Sequence, residues 1–316
     1  MKILFTADLH VKLGQKNVPT DWAVNRYNLL EEQLDTLQDQ ADIVVLGGDI
    51  FDKLPNMAEL DIYFKLISIF RKPTFIISGN HEALKKDTTF LSQLKFVSAS
   101  VNPKVCIIDD YFSYEGIDFI PYNKLKDFEK NGYELNSKVL VTHVRGEIPP
   151  HVKPEVDLSI FDRWEAVLAG DLHSYTNSQR NILYPGSPAT TSFHRNVVDT
   201  GVILFDTDTM AHEWLKLELP QLLRQTIKAG DPMPATDYHH TIYEVEGDMA
   251  ELSNMEDNAL LDKKVVKRET DTALILEPEM TLAAEVNEYL RYILQLNDDA
   301  IEKALKELGN YADKFN

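Results

Sequence analysis

Five short apolar segments of the chain are each followed at once by acidic, amide or histidine side chains. The polar segments are ADLH (residues 7–10), GGDIFD (47–52), SGNHE (78–82), VTH (141–143) and GDLH (170–173). A short β-branched run such as 43–46, followed directly by Gly47 and Gly48, is typical of an interior strand in a sheet covered on both faces. In α/β proteins the chain leaves such strands at the edge of the sheet where functional sites lie. The pattern therefore predicts an α/β fold with polar side chains at the strand exits.

Each segment taken alone also has a purely structural explanation. In GGDIFD, Asp49 could cap the next helix and Asp52 could be a solvated acid in its first turn, because aspartate is common in turns. A single histidine at a strand exit is more often an ordinary hydrogen-bonded residue than a ligand. Five such segments in order along one chain favour a functional site.

The composition limits the class of protein and of ligand. The chain has 316 residues, of which 44% are hydrophobic and 26% charged, as expected for one large globular domain and a smaller one. The net charge of −19 argues against binding of nucleic acid through a generally basic surface. A single cysteine, Cys106, excludes a disulfide framework and a thiolate zinc cluster, so a bound metal would have nitrogen and oxygen ligands.

Targeting signals are also informative. No apolar run approaches the roughly 18 residues that span a bilayer, and the N-terminus lacks the apolar region of a signal peptide. We therefore expect no membrane association and a cytoplasmic protein, or one of the host cytoplasm if it is viral.

Hydrophobic periodicity predicts the order of elements. Predicted strands at 2–7, 43–46 and 73–77 alternate with predicted helices at 22–40, 58–70 and 88–96. Further strands are predicted at 105–109, 118–121, 138–142, 166–169 and 200–205. Alternating strands and helices followed by a run of strands predict two packed mixed β-sheets flanked by helices.

A domain boundary is predicted where Pro220 interrupts the pattern. This gives a first domain at 1–219, a smaller α+β capping domain at 220–278 and C-terminal helices at 279–316. Two apolar stripes indicate the helices: Leu282, Val286, Leu290 and Ile293 form the first, and Ile301, Leu305 and Leu308 the second. The stripes could pack on the smaller domain or lie in a groove of a partner protein.

The spacing of the polar residues suits metal binding. Asp8 and His10 are two residues apart, so at a strand exit both side chains point to the same face, and Asp171 and His173 repeat this spacing. Asp49 could bridge two ions through its two oxygens. With Asn80 and His143 the set is too large for one tetrahedral ion. It suits two ions about 3.5 to 4 Å apart, which activate a water and hold a phosphoryl group for in-line attack.

As an ordered set, these segments resemble the signature of the calcineurin-like metallophosphoesterases, D-x-H, G-D-x-x-D, G-N-H-E, H and G-H-x-H, over roughly residues 1–205. Together with IPYN (120–123), LYPGSPATTSF (183–193) and the acidic C-terminal extension, they are most similar to the SbcD-type nuclease subunit of DNA double-strand-break repair complexes. The resemblance implies a metal-dependent DNA exonuclease and endonuclease in end processing, replication, recombination or repair. It also implies an SbcC-type coiled-coil ATPase partner and a homodimer. The helices at 58–70 and 88–96 carry apolar stripes that could form the dimer contact, although such stripes more often pack in the core.

The resemblance further implies roles for individual residues. Asp8, His10, Asp49 and His173 would hold one ion, and Asp49, Asn80, His143 and Asp171 the other. His81 would protonate the leaving oxygen or stabilise its charge, Asp52 would orient His81 and keep it cationic, and Glu82 would be structural.

The chain departs from the family signature in one place. In GDLH, Asp171 replaces the first histidine of G-H-x-H. The harder ligand set favours Mn²⁺, or Mg²⁺, over Zn²⁺ or Cu²⁺. The alternative is a weakened second site.

Contacts to DNA are less defined. Lys12, Lys16 and Arg145 could reach phosphates near the ions, and Arg195 could approach a substrate strand, but each is equally an ordinary surface charge. Two other functions remain open. One is a phosphodiesterase or phosphatase acting on small molecules, which needs no acidic extension for docking a partner. The other is a non-catalytic scaffold, against which the full ligand set and His81 argue.

Overall fold

The computed structural model describes residues 1–85, 88–236, 238–266, 280–294 and 296–312. The strands in chain order are β1 (Lys2–Thr6), β2 (Ile43–Leu46), β3 (Thr74–Ile77), β4 (Ala83–Lys85), β5 (Thr88–Thr89), β6 (Val105–Ile108), β7 (Phe112–Tyr114), β8 (Ile117–Ile120), β9 (Val139–His143), β10 (Ala166–Gly170), β11 (Ile182–Leu183), β12 (Gly201–Asp206), β13 (His212–Lys216), β14 (Leu222–Lys228), β15 (His240–Gly247) and β16 (Leu261–Val266). The α-helices are α1 (Thr20–Leu37), α2 (Met57–Ser68), α3 (Phe90–Val101), α4 (Tyr122–Asn131), α5 (Met249–Ser253), α6 (Leu282–Glu288) and α7 (Asp298–Ala312). A π-helical turn, Tyr289–Ile293, follows α6.

Two mixed sheets form the centre of the fold. The first has the order β13-β12-β1-β2-β3-β6, in which β1, β2, β3 and β6 are parallel and β12 pairs antiparallel with both β1 and β13. The second has the order β11-β10-β9-β8-β7, in which only β7 is antiparallel. The predicted fold class is thereby confirmed.

Alternation along the strands builds the layers. Ile3 and Phe5 of β1 belong to the apolar core that also holds Val141 and Leu168 of the second sheet, whereas Leu4 belongs to the core on the other face. Because successive side chains point to opposite faces of a strand, both faces of the first sheet are buried. Helices α1, α2 and α3 cover its outer face, and α4 covers the outer face of the second sheet through Leu125 and Phe128.

A third sheet, β14-β15-β16, has β14 and β15 parallel in register, and β4 and β5 form a small antiparallel pair. The chain divides into two compact units, one of residues 1–246 and 254–265 and the other of 247–253 and 266–316. The division into three domains stays a prediction. No helix in the described ranges is both long and apolar enough to cross a membrane.

The predicted strands of the first 205 residues are all present, each within a residue of its predicted ends. The predicted helix at 88–96 instead begins at Phe90 and continues to Val101, because the Thr89 side chain accepts a hydrogen bond from the amide of Ser92 and caps it. Pattern reading did not find α4, β7, β11 and β13.

Candidate metal centre

The five polar segments meet at the exits of five strands from the two central sheets. ADLH, GGDIFD and SGNHE follow β1, β2 and β3, while His143 ends β9 and Asp171 follows β10. The first two loops are joined by backbone hydrogen bonds, from the Asp8 amide to the Gly48 oxygen (3.0 Å) and from the His10 amide to the Asp49 oxygen (2.9 Å). The Asp171 amide donates to the carboxylate of Asp8 (3.0 Å), which links the second sheet to the first.

Four of the predicted ligands have left-handed backbone conformations. The φ angles are 57° at Asp8, 45° at His10, 51° at Asp49 and 100° at Asp171. Such angles are uncommon outside glycine and are tolerated best by Asp, Asn and His. Backbone strain of this kind concentrates at functional sites, where the surrounding structure holds it in place.

Glycine is required where the loops press against each other. A Cβ atom on Gly79 would lie 2.1 Å from Asp49 Oδ1 and 2.7 Å from His143 Cε1. The absence of a side chain at Gly79 therefore lets the SGNHE loop approach Asp49 closely.

Asp49 lies between two groups of potential ligands. Its Oδ2 atom is 3.6 Å from His10 Nε2 and 3.6 Å from His143 Nε2. On the first side, His10 Nε2 lies 3.1 Å from His173 Nε2. The structure thus brings together all seven residues that the sequence predicts as ligands, in two groups around one carboxylate oxygen.

On the second side, several electron-pair donors converge. The amide oxygen of Asn80 faces His143 Nε2 at 2.9 Å, Asp171 Oδ1 at 3.1 Å and Asp49 Oδ2 at 3.3 Å. Turning the amide over would place its NH₂ group there, but a divalent cation satisfies the same acceptors with the oxygen left in place.

Three overlapping triads have ligand atoms within 4.8 Å of one another: Asp8 with His10 and His173, His10 with Asp49 and His81, and Asp8 with Asp49 and His143. In addition, the buried Nδ1 of His10 has no hydrogen-bond partner among the described residues. The residues present therefore fit divalent metal ions with nitrogen and oxygen ligands.

The electrostatics of the cluster follow from burial and from its carboxylates. Burial opposes protonation of His143, but the charges of Asp49, Asp8 and Asp171 outweigh it and raise the His143 pKa to about 9. Burial and then the neighbouring His173 and His81 lower the pKa of His10 to about 2. The carboxylates thus favour a positive charge on His143, whereas burial and the neighbouring imidazoles disfavour one on His10.

His81 stands at the mouth of the cluster, with 37% of its side chain exposed. Its Nε2 lies 3.9 Å from Asp49 Oδ2, and its ring is nearly perpendicular to that of His10, with centroids 4.7 Å apart. The sequence predicts that Asp52 orients His81, and the structure brings the two residues together through the backbone of Asp52 and not through its carboxylate. The backbone oxygen of Asp52 contacts His81 Nδ1 (2.6 Å), whereas the carboxylate pairs with Lys12 (2.8 Å).

Glu82 is buried directly beneath the loops. Its carboxylate accepts hydrogen bonds from the backbone amides of Asp49 (3.0 Å), Phe51 (3.0 Å) and Gly79 (2.7 Å). These bonds fix the loops that carry Asp49 and Asn80. The geometry is that of a structural residue, the role that the resemblance implies.

Of the four predicted DNA contacts, three are engaged in ion pairs. Lys12 pairs with Asp52, Arg145 with Asp171 (3.1 Å) and Arg195 with Glu244 (2.7 Å), while Lys16 is exposed. Arg145 contacts both oxygens of Asp171 through its Nε and Nη2 atoms.

Two residues that sequence reasoning did not select also support the cluster. Ser187 donates to the backbone oxygen of Asp8 (2.7 Å), and the Thr191 hydroxyl lies 3.3 Å from His173 Nδ1. Both belong to the LYPGSPATTSF segment, whose turn-forming PGSP stretch was the available signal.

Comparison with known proteins agrees with this arrangement. The sequence profile of the calcineurin-like phosphoesterase family matches residues 1–175, more than half of the chain. The chain is 39% identical to the probable exonuclease subunit 1 of Escherichia phage T5, and the alignment covers the full length of both proteins.

Two more distant relatives are also similar. The putative phosphoesterase 244L of Invertebrate iridescent virus 6 is 26% identical over 64% of this chain and 75% of its own. The DNA double-strand break repair protein Mre11 of Methanosarcina acetivorans is 29% identical over 55% of this chain and 31% of its own. With the ordered strand-exit residues and the matching family model, the chain belongs to the calcineurin-like phosphoesterases.

Proposed function

We propose that this chain is a metal-dependent DNA nuclease of the SbcD type, which hydrolyses phosphodiester bonds with two divalent ions. The observation that carries the proposal is the position of Asp49 Oδ2, 3.6 Å from a histidine nitrogen on each side. A carboxylate shared in this way suits two neighbouring ions. DNA as the substrate is supported by the names of the phage T5 and Mre11 relatives.

Asp8, His10, Asp49 and His173 would hold one ion, and Asp49, Asn80, His143 and Asp171 the other. Bound there, the ions would supply a water of lowered pKa and positive charge for the phosphoryl oxygens. The carboxylates of Asp8, Asp49 and Asp171 make the set hard, so we infer Mn²⁺, or Mg²⁺, as the physiological metal.

The remaining side chains would act on the substrate itself. His81 reaches solvent and is held by the Asp52 backbone oxygen, so its Nε2 is free to donate a proton to the leaving oxygen or to stabilise its charge. Arg145 is 41% exposed in its side chain and pairs with Asp171, so it could also reach a substrate phosphate near the ions.

We infer that the chain acts with an ATPase subunit and with a second copy of itself. The word subunit in the name of the phage T5 relative supports a complex, and an SbcC-type ATPase is the partner that the resemblance implies. The phage origin of that relative supports action in a host cytoplasm.

A homodimer is supported by the exposed apolar surface of two packed helices, α2 and α3. Met57 is 80% exposed, Phe96 85%, Val97 46% and Val101 41%. Large apolar side chains exposed on two packed helices are candidates for a protein–protein contact. We expect Phe96→Asp to halve the mass measured by sedimentation, and an unchanged dimer would place the interface elsewhere.

The function is tested with purified protein on linear duplex DNA, single-stranded DNA and bis(4-nitrophenyl) phosphate, each with Mn²⁺, Mg²⁺ or EDTA. We expect cleavage of DNA and of the chromogenic ester with Mn²⁺ and none in EDTA. Hydrolysis of the ester alone would indicate a phosphodiesterase for small molecules, and hydrolysis of neither would indicate a scaffold.

A further inference from the structure

A cavity of about 650 Å³ opens between β4 and α4, and its lining residues differ from the candidate metal ligands. Leu84, Tyr122, Lys126 and Lys130 are part of its wall. The volume falls within the range of roughly 300 to 1,000 Å³ that is typical of ligand sites.

Tyr122 connects this cavity to the metal centre. Its ring lies edge-on to the ring of His143, with centroids 6.0 Å apart. Its hydroxyl donates to Glu155 Oε2 (3.2 Å), and Glu155 Oε1 accepts a hydrogen bond from the Arg145 amide (3.1 Å). The cavity thus shares Tyr122 with the surroundings of the metal centre, because this wall residue lies next to His143 and its partner Glu155 holds the backbone of Arg145.

Four charged residues line the cavity, the lysines Lys126 and Lys130 and the acids Asp127 and Glu155. Both acids are held by hydrogen bonds from the protein: Asp127 accepts from the Tyr111 hydroxyl (3.0 Å) and the Asn131 amide (2.7 Å), and Glu155 is held as described above. Lys126 and Lys130, by contrast, have no carboxylate of a described residue within 4.0 Å. They are four residues apart on α4, so both point to the same side of the helix.

A single nucleic-acid strand has the complementary chemistry. Its phosphates match the two lysines, and its bases match the Tyr122 ring and Leu84, which is 53% exposed. A small anion would use only the lysines and leave the apolar wall uncovered.

We propose that this cavity is a subsite for single-stranded DNA, which holds the nucleotides next to the phosphodiester bond at the metal centre. Lys126 and Lys130 bind backbone phosphates there, and Tyr122 and Leu84 contact a base. The assignment rests on the proposed nuclease function.

The test compares two charge reversals. Lys126→Glu with Lys130→Glu changes the cavity. Lys2→Glu with Lys138→Glu makes the same change in net charge at the N-terminal ends of β1 and β9, away from the strand exits that carry the metal centre. Binding of a fluorescein-labelled oligothymidylate is measured by anisotropy in EDTA, so that the strand is not cleaved. We expect the cavity pair to weaken binding about 10-fold more than the control pair and to flatten its salt dependence. Leu84→Ala, which alters no charge, should weaken binding as well.

Equal weakening by both pairs would overturn the subsite, because net charge alone would then explain the loss. Melting temperatures of the variants show that each is folded. Wild-type protein that hydrolyses bis(4-nitrophenyl) phosphate but neither binds nor cleaves DNA would overturn the nuclease function, a failure distinct from that of the subsite.

Discussion

At the scale of single residues, His81 combines an exposed side chain with an Nδ1 atom that is held by a backbone oxygen. We expect His81→Ala to retain two metal ions per chain and to lose about 10²-fold or more in DNA cleavage, the scale of a positioned general acid. Metal content after gel filtration and single-turnover rates check this, with His151→Ala, at an exposed histidine, as the control.

The competing role for His81 is also visible in the geometry. Its nitrogen lies within 4.8 Å of ligand atoms of His10 and Asp49, close enough for one ion to bind all three. Loss of one ion per chain in His81→Ala would make His81 a ligand and remove the acid role.

Asp171 is the second residue for which we predict a role that mutation can test, that of a metal ligand. Its carboxylate faces Asn80 on one side and Arg145 on the other. We expect Asp171→Ala to lower metal content from two ions to one, because the second group loses an oxygen ligand. Asp171→His should restore binding and shift preference toward Zn²⁺ and Cu²⁺, the softer borderline ions. Isothermal titration with Mn²⁺ and Zn²⁺ distinguishes these results, and unchanged stoichiometry and rate in Asp171→Ala would refute the ligand role.

The candidate ligands could be selected from the sequence because each follows a strand whose apolar run is visible. The contacts that set their roles could not. Asp52 and Lys12 both lie beside the centre, and only the fold shows that they pair with each other while the Asp52 backbone holds His81. Likewise, no spacing in the sequence indicates that Arg145 reaches both oxygens of Asp171.

At the scale of elements, the β14-β15-β16 sheet depends on a buried acid. Glu244 of β15 pairs with Lys263 (2.8 Å) and Arg195 (2.7 Å), and its hydrogen bond with Lys263, then that with Arg195, outweigh desolvation and lower its pKa to about 2. A lowered folded-state pKa contributes stability that is present above the unfolded value and lost as pH falls toward the folded one.

We therefore expect Glu244→Gln to destabilise the chain by about 1 kcal/mol at pH 7, and the difference from wild type to shrink as pH falls from 4.5 toward 2. Urea unfolding across this range measures it, with Glu246→Gln on the same strand as the control. A difference that is independent of pH would mean that packing, and not charge, is lost.

Strands with buried residues on both faces were predictable because their apolar runs are continuous and lie between turn residues. The elements that escaped prediction are short or lie at the surface. Helix α4 buries only Leu125 and Phe128, and β11 has two residues. Such segments contain too few apolar residues to show the hydrophobic periodicity of a helix or a strand.

At the scale of the whole molecule, α7 is the element most suited to a partner. Ile301 is 3% exposed, whereas Leu305 and Leu308 of the same predicted stripe are only partly buried. We expect Leu305→Glu with Leu308→Glu to leave metal-dependent cleavage of single strands intact and to abolish ATP-stimulated processing of duplex DNA, because an SbcC-type ATPase would bind these anchors.

Co-purification with the partner and thermal melting check the α7 expectation. Lys303→Ser with Lys306→Ser alters the net charge equally at exposed positions of the helix and is the matched control. A large drop in the melting temperature of the isolated chain would show that Leu305 and Leu308 are core residues, and docking through α7 would be abandoned.

The left-handed backbone at Asp8, His10, Asp49 and Asp171 bears on how such chains change over generations. Each of these conformations costs roughly 1 to 2 kcal/mol for a residue with a Cβ atom, and glycine would relieve the cost while deleting a candidate ligand. A lineage that no longer needs hydrolysis would gain stability from mutation to glycine at these positions, so drift there is directed and not neutral. A homologue with intact strands and glycines at these four positions would thus be recognisable as a protein that keeps the fold but has lost the hydrolytic activity.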